Sequence, residues 1–217
     1  MNSVLKNLQK INIDTSKVRL IAVTKYVNAD KIIEAYEAGI RNFAENRYQD
    51  AEVKRKKLPP EIEKDIIWHF IGHLQSNKAK KVTGNFEYIH SVDSVKLAEQ
   101  ISEEAKKKDI IQKILIQVNV SEEETKFGFE LESIKEVFLK IIKLDSLSVQ
   151  GFMTIGPNID DEAVIRKTFI ELRKLRDNFQ EKFNINLPEL SMGMSNDYKI
   201  AIEEKSTMIR LGQVLFK

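Results

Sequence analysis

Residues 18–39 read VRLIAVTKYVNADKIIEAYEAG. An apolar run rich in β-branched residues, Val18 to Val23, passes through a connection without glycine into a segment whose apolar residues recur at helical spacing. Asn28 stands where a helix N-cap belongs, and Gly39 where the chain leaves the helix in the left-handed conformation that glycine tolerates. The stretch is therefore a strand followed by a helix. A connection without glycine argues against an open doubly wound sheet, whose first turn is normally glycine-rich. Lys25 stands out, a cation at the end of a strand that is otherwise burying Ile21, Ala22 and Val23.

The same alternation runs through the rest of the chain. Further strands are expected at 40–45, 66–72, 86–92, 113–120, 148–154, 189–193 and 207–212, with helical patterns between them, clearest at 94–108 and 161–183. Ser94 and Asp160 or Asp161 are suited to cap these two helices. Eight strand-then-helix units spell a (β/α)8 TIM barrel of the α/β class. At 217 residues each unit has about 27, near the lower end for such barrels, so a single domain over 1–217 is expected. The Pro-broken stretch 54–65, KRKKLPPEIEKD, reads as a surface connection.

Composition narrows the function classes. Thirty-five Lys plus Arg against 33 Asp plus Glu leave a formal charge of +2, so no global field favours nucleic acid, membrane or an acidic partner. There is no cysteine, which excludes disulfides and thiolate chemistry and fits a reducing compartment. No run approaches the roughly 18 apolar residues of a membrane span, and the N-terminus lacks a signal-peptide core. A cytoplasmic protein with no nucleic-acid or membrane partner, expected to be monomeric, is the reading. The basic runs at 54–57, 78–81 and 106–108 read as solvated helix faces, since acidic residues surround them. His69, His73 and His90 lack metal-ligand spacing and read as satisfied core or rim residues.

In a barrel the C-terminal strand ends carry the chemistry. The first strand delivers Lys25 and the second Asn46; the third delivers His69, Gly72 and Gln75, and the sixth Met153 and Thr154. The seventh delivers Ser191, Met192, Gly193, Met194 and Ser195, and the eighth Ser206, Thr207, Arg210 and Gly212. Hydroxyls, glycines and backbone donors thus gather at strands seven and eight, where barrels commonly hold a phosphate, with the helix after Ser195 adding its N-terminal dipole. Gly72, Gly151, Gly193 and Gly212 fall in or at the end of strands, where a ligand or another backbone approaches closely. A partly desolvated lysine has a lowered pKa, and its free amine attacks a carbonyl to give a Schiff base. A phosphorylated aldehyde fits both halves of such a site, and pyridoxal 5′-phosphate (PLP) is one. The plain alternatives are a snorkelling Lys25, a structural ion pair at Arg210 and core packing for part of the Met153, Met192 and Met194 group.

At these residues the sequence closely resembles the pyridoxal phosphate homeostasis protein family, also called the proline synthetase co-transcribed homologue family. The matching segments are IAVTKYV, FAENRYQD, WHFIGHLQSNK, HSVDS, QVNVSEEETKFGF, GFMTIGP and SMGMSNDYKIAI with STMIRLG, which together span essentially the whole chain. The resemblance implies a barrel similar to the N-terminal domain of alanine racemases, with PLP held as an aldimine on Lys25. It implies Arg210 beside the pyridine nitrogen, Ser191, Ser195, Ser206 and Thr207 around the phosphate, and Asn46 and Met153 along the ring, with Gly72, Met192 and Gly212 also at the cofactor. It further implies vitamin B6 homeostasis and carriage, with apo PLP-dependent enzymes as partners, rather than established catalysis. A small PLP enzyme such as an amino-acid racemase is the alternative, using Tyr26, Tyr48, Tyr198 or a histidine opposite Lys25. Three departures from the family pattern stand out: Lys205 replaces the usual glycine before Ser206, Ala44 replaces another, and the sequence ends at VLFK without the usual short tail. If the Lys205 amide approaches the phosphate with positive φ, the lysine pays in strain what its charge offsets.

Overall fold

The computed structural model describes residues 3–121, 123 and 126–217, so part of the SEEET segment within the fifth matching motif lies outside the described residues. Eight parallel strands close on themselves in chain order, β1 through β8, with β8 pairing back to β1. They are β1 (Arg19–Val23), β2 (Asn42–Glu45), β3 (Ile67–Phe70), β4 (Tyr88–Val92), β5 (Gln112–Gln117), β6 (Leu147–Met153), β7 (Glu189–Ser191) and β8 (Met208–Leu211). The α-helices are α1 (Ser3–Ile11), α2 (Ala29–Glu37), α3 (Tyr48–Arg55), α4 (Pro60–Asp65), α5 (Ala79–Val82), α6 (Val95–Lys107), α7 (Ile134–Ile141), α8 (Glu162–Phe183), α9 (Tyr198–Glu203) and α10 (Gln213–Phe216). The (β/α)8 barrel expected from the strand-helix alternation is the fold observed.

The caps behave as their chemistry requires. Asn28 accepts from the Lys31 N–H, Ser94 from Leu97, and Asp161 from Ala163 and Val164, each satisfying donors at a helix start. Gly39 follows α2 at φ 96°, the conformation that costs a residue with a Cβ. Strand alternation then sorts the side chains into two layers. Ala22, Phe43, Trp68, Ile89, Ile114, Phe152 and Ile209 face outward into the helix shell. Ile21, Val23, Ala44, Tyr88, Leu115, Met153 and Met208 fill the barrel lumen. Under α7 and α8, Phe138 lies 6.0 Å from Phe152 and 4.9 Å from Phe179 between ring centroids. Each such fully buried ring contributes about 1.5–3 kcal/mol of hydrophobic stabilisation.

Because every strand runs the same way, residues before a strand lie at one end of the barrel and residues after it at the other. The N-terminal end is the base and the C-terminal end the mouth. The register places Ile21 level with Arg210 and Ala22 level with Leu211, so Lys25 and Gly212 share the mouth.

Candidate functional site

The first strand ends at Val23, two residues short of Lys25. Lys25 stands instead in a turn that the Val27 N–H closes onto the Thr24 carbonyl at 3.0 Å. Its side chain is exposed rather than desolvated, with Nζ 4.9 Å from the Tyr26 ring centroid, and it has no hydrogen bond or ion pair among the described residues. Below the turn lies a cluster that single-strand reading does not detect. Lys54 Nζ donates to the Thr24 carbonyl at 2.7 Å and to Glu45 Oε1 at 2.6 Å, and Thr24 Oγ1 donates to the same oxygen. Glu45 is fully buried and its Oε2 has no hydrogen-bond partner among the described residues. Burial pushes its carboxyl up, against the opposing pull of Lys54 and Thr24.

Arg210 sits in the lumen below the mouth, 4% exposed. Its Nη1 donates to Ser191 Oγ at 2.6 Å and its Nη2 to the Thr154 carbonyl at 2.9 Å. Those are two of the five donors a guanidinium carries. Among the described residues no carboxylate pairs with it; Asp197 is felt only at a distance, and burial lowers the Arg210 pKa to about 10. A buried cation with only neutral acceptors and unused donors is costly in isolation and is suited to a further acceptor.

Around Gly212 and Ser195 the backbone offers donors. The N–H groups of Ser195, Asn196 and Gly212 have no partner among the described residues, while Val214 N–H reaches Ser195 Oγ at 3.4 Å. A Cβ on Gly212 would meet nothing nearer than the Val23 carbonyl oxygen at 3.3 Å. The helix after Ser195 starts only at Tyr198 and is six residues long. Asp197 precedes it, with Oδ1 accepting from the Met194 N–H at 2.5 Å rather than from a helix N–H, and burial pushes its carboxyl up.

The mouth brings together Lys25, Asn46, Met153, Ser195, Arg210 and Gly212, with Ser191 one layer down beneath Arg210. Gly72, after β3 and against Asn46, also lies at the mouth, and three expected residues are placed elsewhere. Ser206 and Thr207 precede β8 and lie at the base, about 16–20 Å from Gly212 along the strand at roughly 3.3 Å per residue. Ser206 Oγ lies 2.7 Å from the Met192 carbonyl, and Thr207 Oγ1 donates to Glu189 Oε2 at 2.7 Å. Neither can share a phosphate with Ser195, so that placement is corrected. Lys205 does adopt positive φ, 68°, but at the base, where its charge cannot offset anything at the mouth. Met192 is fully buried in the helix shell, one residue out of phase with the lumen-facing Ser191. Gly72 is glycine for the backbone: a Cβ there would meet the Asn46 carbonyl oxygen at 2.0 Å.

His69 and His90 are the satisfied core residues expected, fully buried and hydrogen-bonded to each other. His73 is a rim residue, 2.9 Å from Asp93 Oδ2 and stacked on Phe127 at 3.9 Å. Among the described residues no group of His, Cys, Asp or Glu is disposed to hold a metal, and no helix is long and apolar enough to cross a membrane. A surface cavity of about 640 Å³, lined by Trp68, Phe86 and Gln112 among others, lies at the base and away from Lys25.

The family described as alanine racemase, N-terminal domain, matches residues 1–217, and the closed barrel is a member of that class. An alanine racemase from Clostridium difficile has a TM-score of 0.79 at 14% identity, with 98% of this chain and 57% of that chain covered, a likeness of fold. Within that class the chain belongs to the pyridoxal phosphate homeostasis protein family. Relatives of that name from Aquifex aeolicus and Synechocystis are each 43% identical, over 91% of this chain and 86% of the first, and 92% of this chain and 90% of the second. PipY of Synechococcus elongatus, solved with PLP bound, is 35% identical over 99% of this chain and all of that chain, with a TM-score of 0.89.

Proposed function

We propose that this chain binds PLP at the barrel mouth, holds it as a Schiff base on Lys25, and serves cofactor homeostasis and carriage to apo enzymes rather than turnover of a substrate. The observation that carries the reading is the buried Arg210 guanidinium, which has unused donors and no bonded carboxylate at the same end of the barrel as an unpartnered primary amine. The names of the relatives and the PLP-bound PipY support the choice of ligand.

The residues present fit that group. Arg210 can only donate, so it suits an unprotonated pyridine nitrogen and would not stabilise a pyridinium as a carboxylate would. The free N–H groups of Ser195, Asn196 and Gly212, with the Ser195 hydroxyl, suit a phosphate. Met153 and Asn46 would flank the ring. When bound, PLP supplies an aldehyde carbon that takes the Lys25 amine with loss of water. Lys54 and Glu45 hold the turn that carries the amine, and the Tyr26 ring lies 4.9 Å from its Nζ. A ring nitrogen kept unprotonated is a weaker electron sink, which favours holding the cofactor over carbanion chemistry.

A racemase would also need a second base facing Lys25. His69 and His90 have both ring nitrogens engaged, and Tyr198 packs in the helix shell. The test is titration of the purified protein with PLP, borohydride reduction and peptide mass mapping. A pyridoxyl group on the peptide containing Lys25 is expected. A label on another lysine overturns the assignment, and exchange of amino-acid α-protons at enzymatic rates overturns the carrier reading.

A further inference from the structure

Arg210 on β8 is linked to Asn42 on β2 by an unbroken series of hydrogen bonds through three intervening side chains. Ser191 Oγ takes the Arg210 Nη1 contact at 2.6 Å and lies 2.9 Å from His90 Nδ1. His90 Nε2 lies 2.9 Å from His69 Nδ1, and His69 Nε2 lies 3.0 Å from Asn42 Oδ1. Ser191 and both histidines are essentially fully buried.

Chemistry allows this series one direction. The direction is set at the Asn42 end: its Oδ1 can only accept, so His69 carries its proton on Nε2, while at the other end Ser191 Oγ accepts from Arg210 and turns its own proton to His90 Nδ1. An imidazole that accepts at Nδ1 and is neutral carries its proton on Nε2, which faces His69 Nδ1. The same step repeats, and His69 donates from Nε2 to the Asn42 carbonyl oxygen. Burial supports neutrality: it brings the His69 pKa down to about 3 and that of His90 well below its ordinary value.

We propose that His90 and His69, acting through Ser191, are positioning residues that fix the plane of the Arg210 guanidinium, so that its idle N–H groups keep one bearing toward a neutral aromatic ring nitrogen at the mouth. Two anchored nitrogens, Nη1 on Ser191 and Nη2 on the Thr154 carbonyl, define the orientation of a rigid planar group. Without Ser191 the guanidinium swings about the remaining anchor. The ligand in this inference rests on the PLP reading; the direction of the series does not.

Two measurements test it. Nitrogen-15 NMR of the ligand-free protein at neutral pH should show both buried histidines protonated at Nε2 and bare at Nδ1, and a proton on His90 Nδ1 overturns the series. PLP titrations of Ser191→Ala, Arg210→Met and the double variant then ask what the series is for. Ser191→Ala should weaken binding about tenfold alone and not further in the Arg210→Met background, since a positioning group has nothing left to position. Equal losses in both backgrounds overturn the positioning role, because a merely structural effect of the serine would persist. His90→Gln, which keeps an acceptor and a donor, should retain more affinity than His90→Phe; equal affinities count against the inference. If the wild-type protein binds no PLP, the functional reading falls and this ligand with it, whereas a reversed tautomer with binding intact overturns this inference alone.

Discussion

The two ends of the barrel carry similar side chains in opposite states. At the base, Arg19 pairs with Glu189 at 2.9 Å, Thr207 ties the same carboxylate and accepts from the Leu190 N–H at 2.8 Å, and Lys113 pairs with Glu87. At the mouth, Lys25 has the Tyr26 ring beside it but no hydrogen-bond or ion-pair partner among the described residues, Arg210 has idle donors, and the amides of Ser195, Asn196 and Gly212 face no acceptor among them. Donors and acceptors that cancel within the chain hold the fold. Donors left over describe what the molecule lacks, and here they describe an anion, an aldehyde and a ring nitrogen.

Substitutions can break or sharpen that contrast. The largest effect is expected at Lys25: Lys25→Ala should abolish the borohydride-fixed pyridoxyl group while shifting stability by no more than about 0.5 kcal/mol, as for an exposed side chain. A large drop in denaturation midpoint would place Lys25 on the structural side instead. Next comes the lumen between the two ends. His69 has a folded pKa of about 3 against an ordinary 6.5, so the unfolded chain binds more protons between these values and stability falls as pH falls below 6.5. From pH 7 to 5 that difference is about 2 kcal/mol for one histidine. Urea unfolding of wild type and His69→Gln at both pH values should show the variant losing less by about that amount, and parallel losses would contradict a neutral buried ring.

At the base, Glu189→Ala should cost about 1–2 kcal/mol, less than a fully buried pair because Arg19 is partly solvated, with PLP affinity unchanged within about twofold. A tenfold change in affinity would mean that the two ends are coupled. The smallest effects separate the hydroxyls. Thr207→Val should lower stability by about 1 kcal/mol and leave PLP binding alone, whereas Ser195→Ala should weaken PLP binding several-fold with almost no change in stability. Calorimetric melting with PLP titration of both variants checks this, and an exchange of the two phenotypes would restore Thr207 to the phosphate.

The strand-helix alternation was legible because hydrophobic period and capping chemistry are local. Asn28, Ser94 and Asp161 announce their helices within four residues of sequence. The mouth was legible only in part. Ser206 and Thr207 sit in the same short motif as Arg210 and Gly212, yet a strand carries the two pairs to opposite ends, and adjacency in sequence hides that distance. Met192 was misplaced by one residue of phase. Counting by twos from Ser191 would have sent it to the helix shell. The hydrogen-bonded series from Arg210 to Asn42 escaped because its members at 42, 69, 90, 191 and 210 meet only after closure of the barrel. The sole local sign was that His69 and His90 are both buried polar residues within strands, which need partners. The exposure of Lys25 follows from β1 ending two residues early.

That lumen series also bears on how the core can change over generations. Each of the three inner members, Ser191, His90 and His69, receives at one atom and gives at another, so a replacement that merely matches size leaves a neighbour mute on one side. Drift at these five positions is therefore concerted: a variant that reverses one handshake survives only beside a second that reverses the next. Anyone recoding the barrel interior would have to treat them as one inherited word rather than five letters.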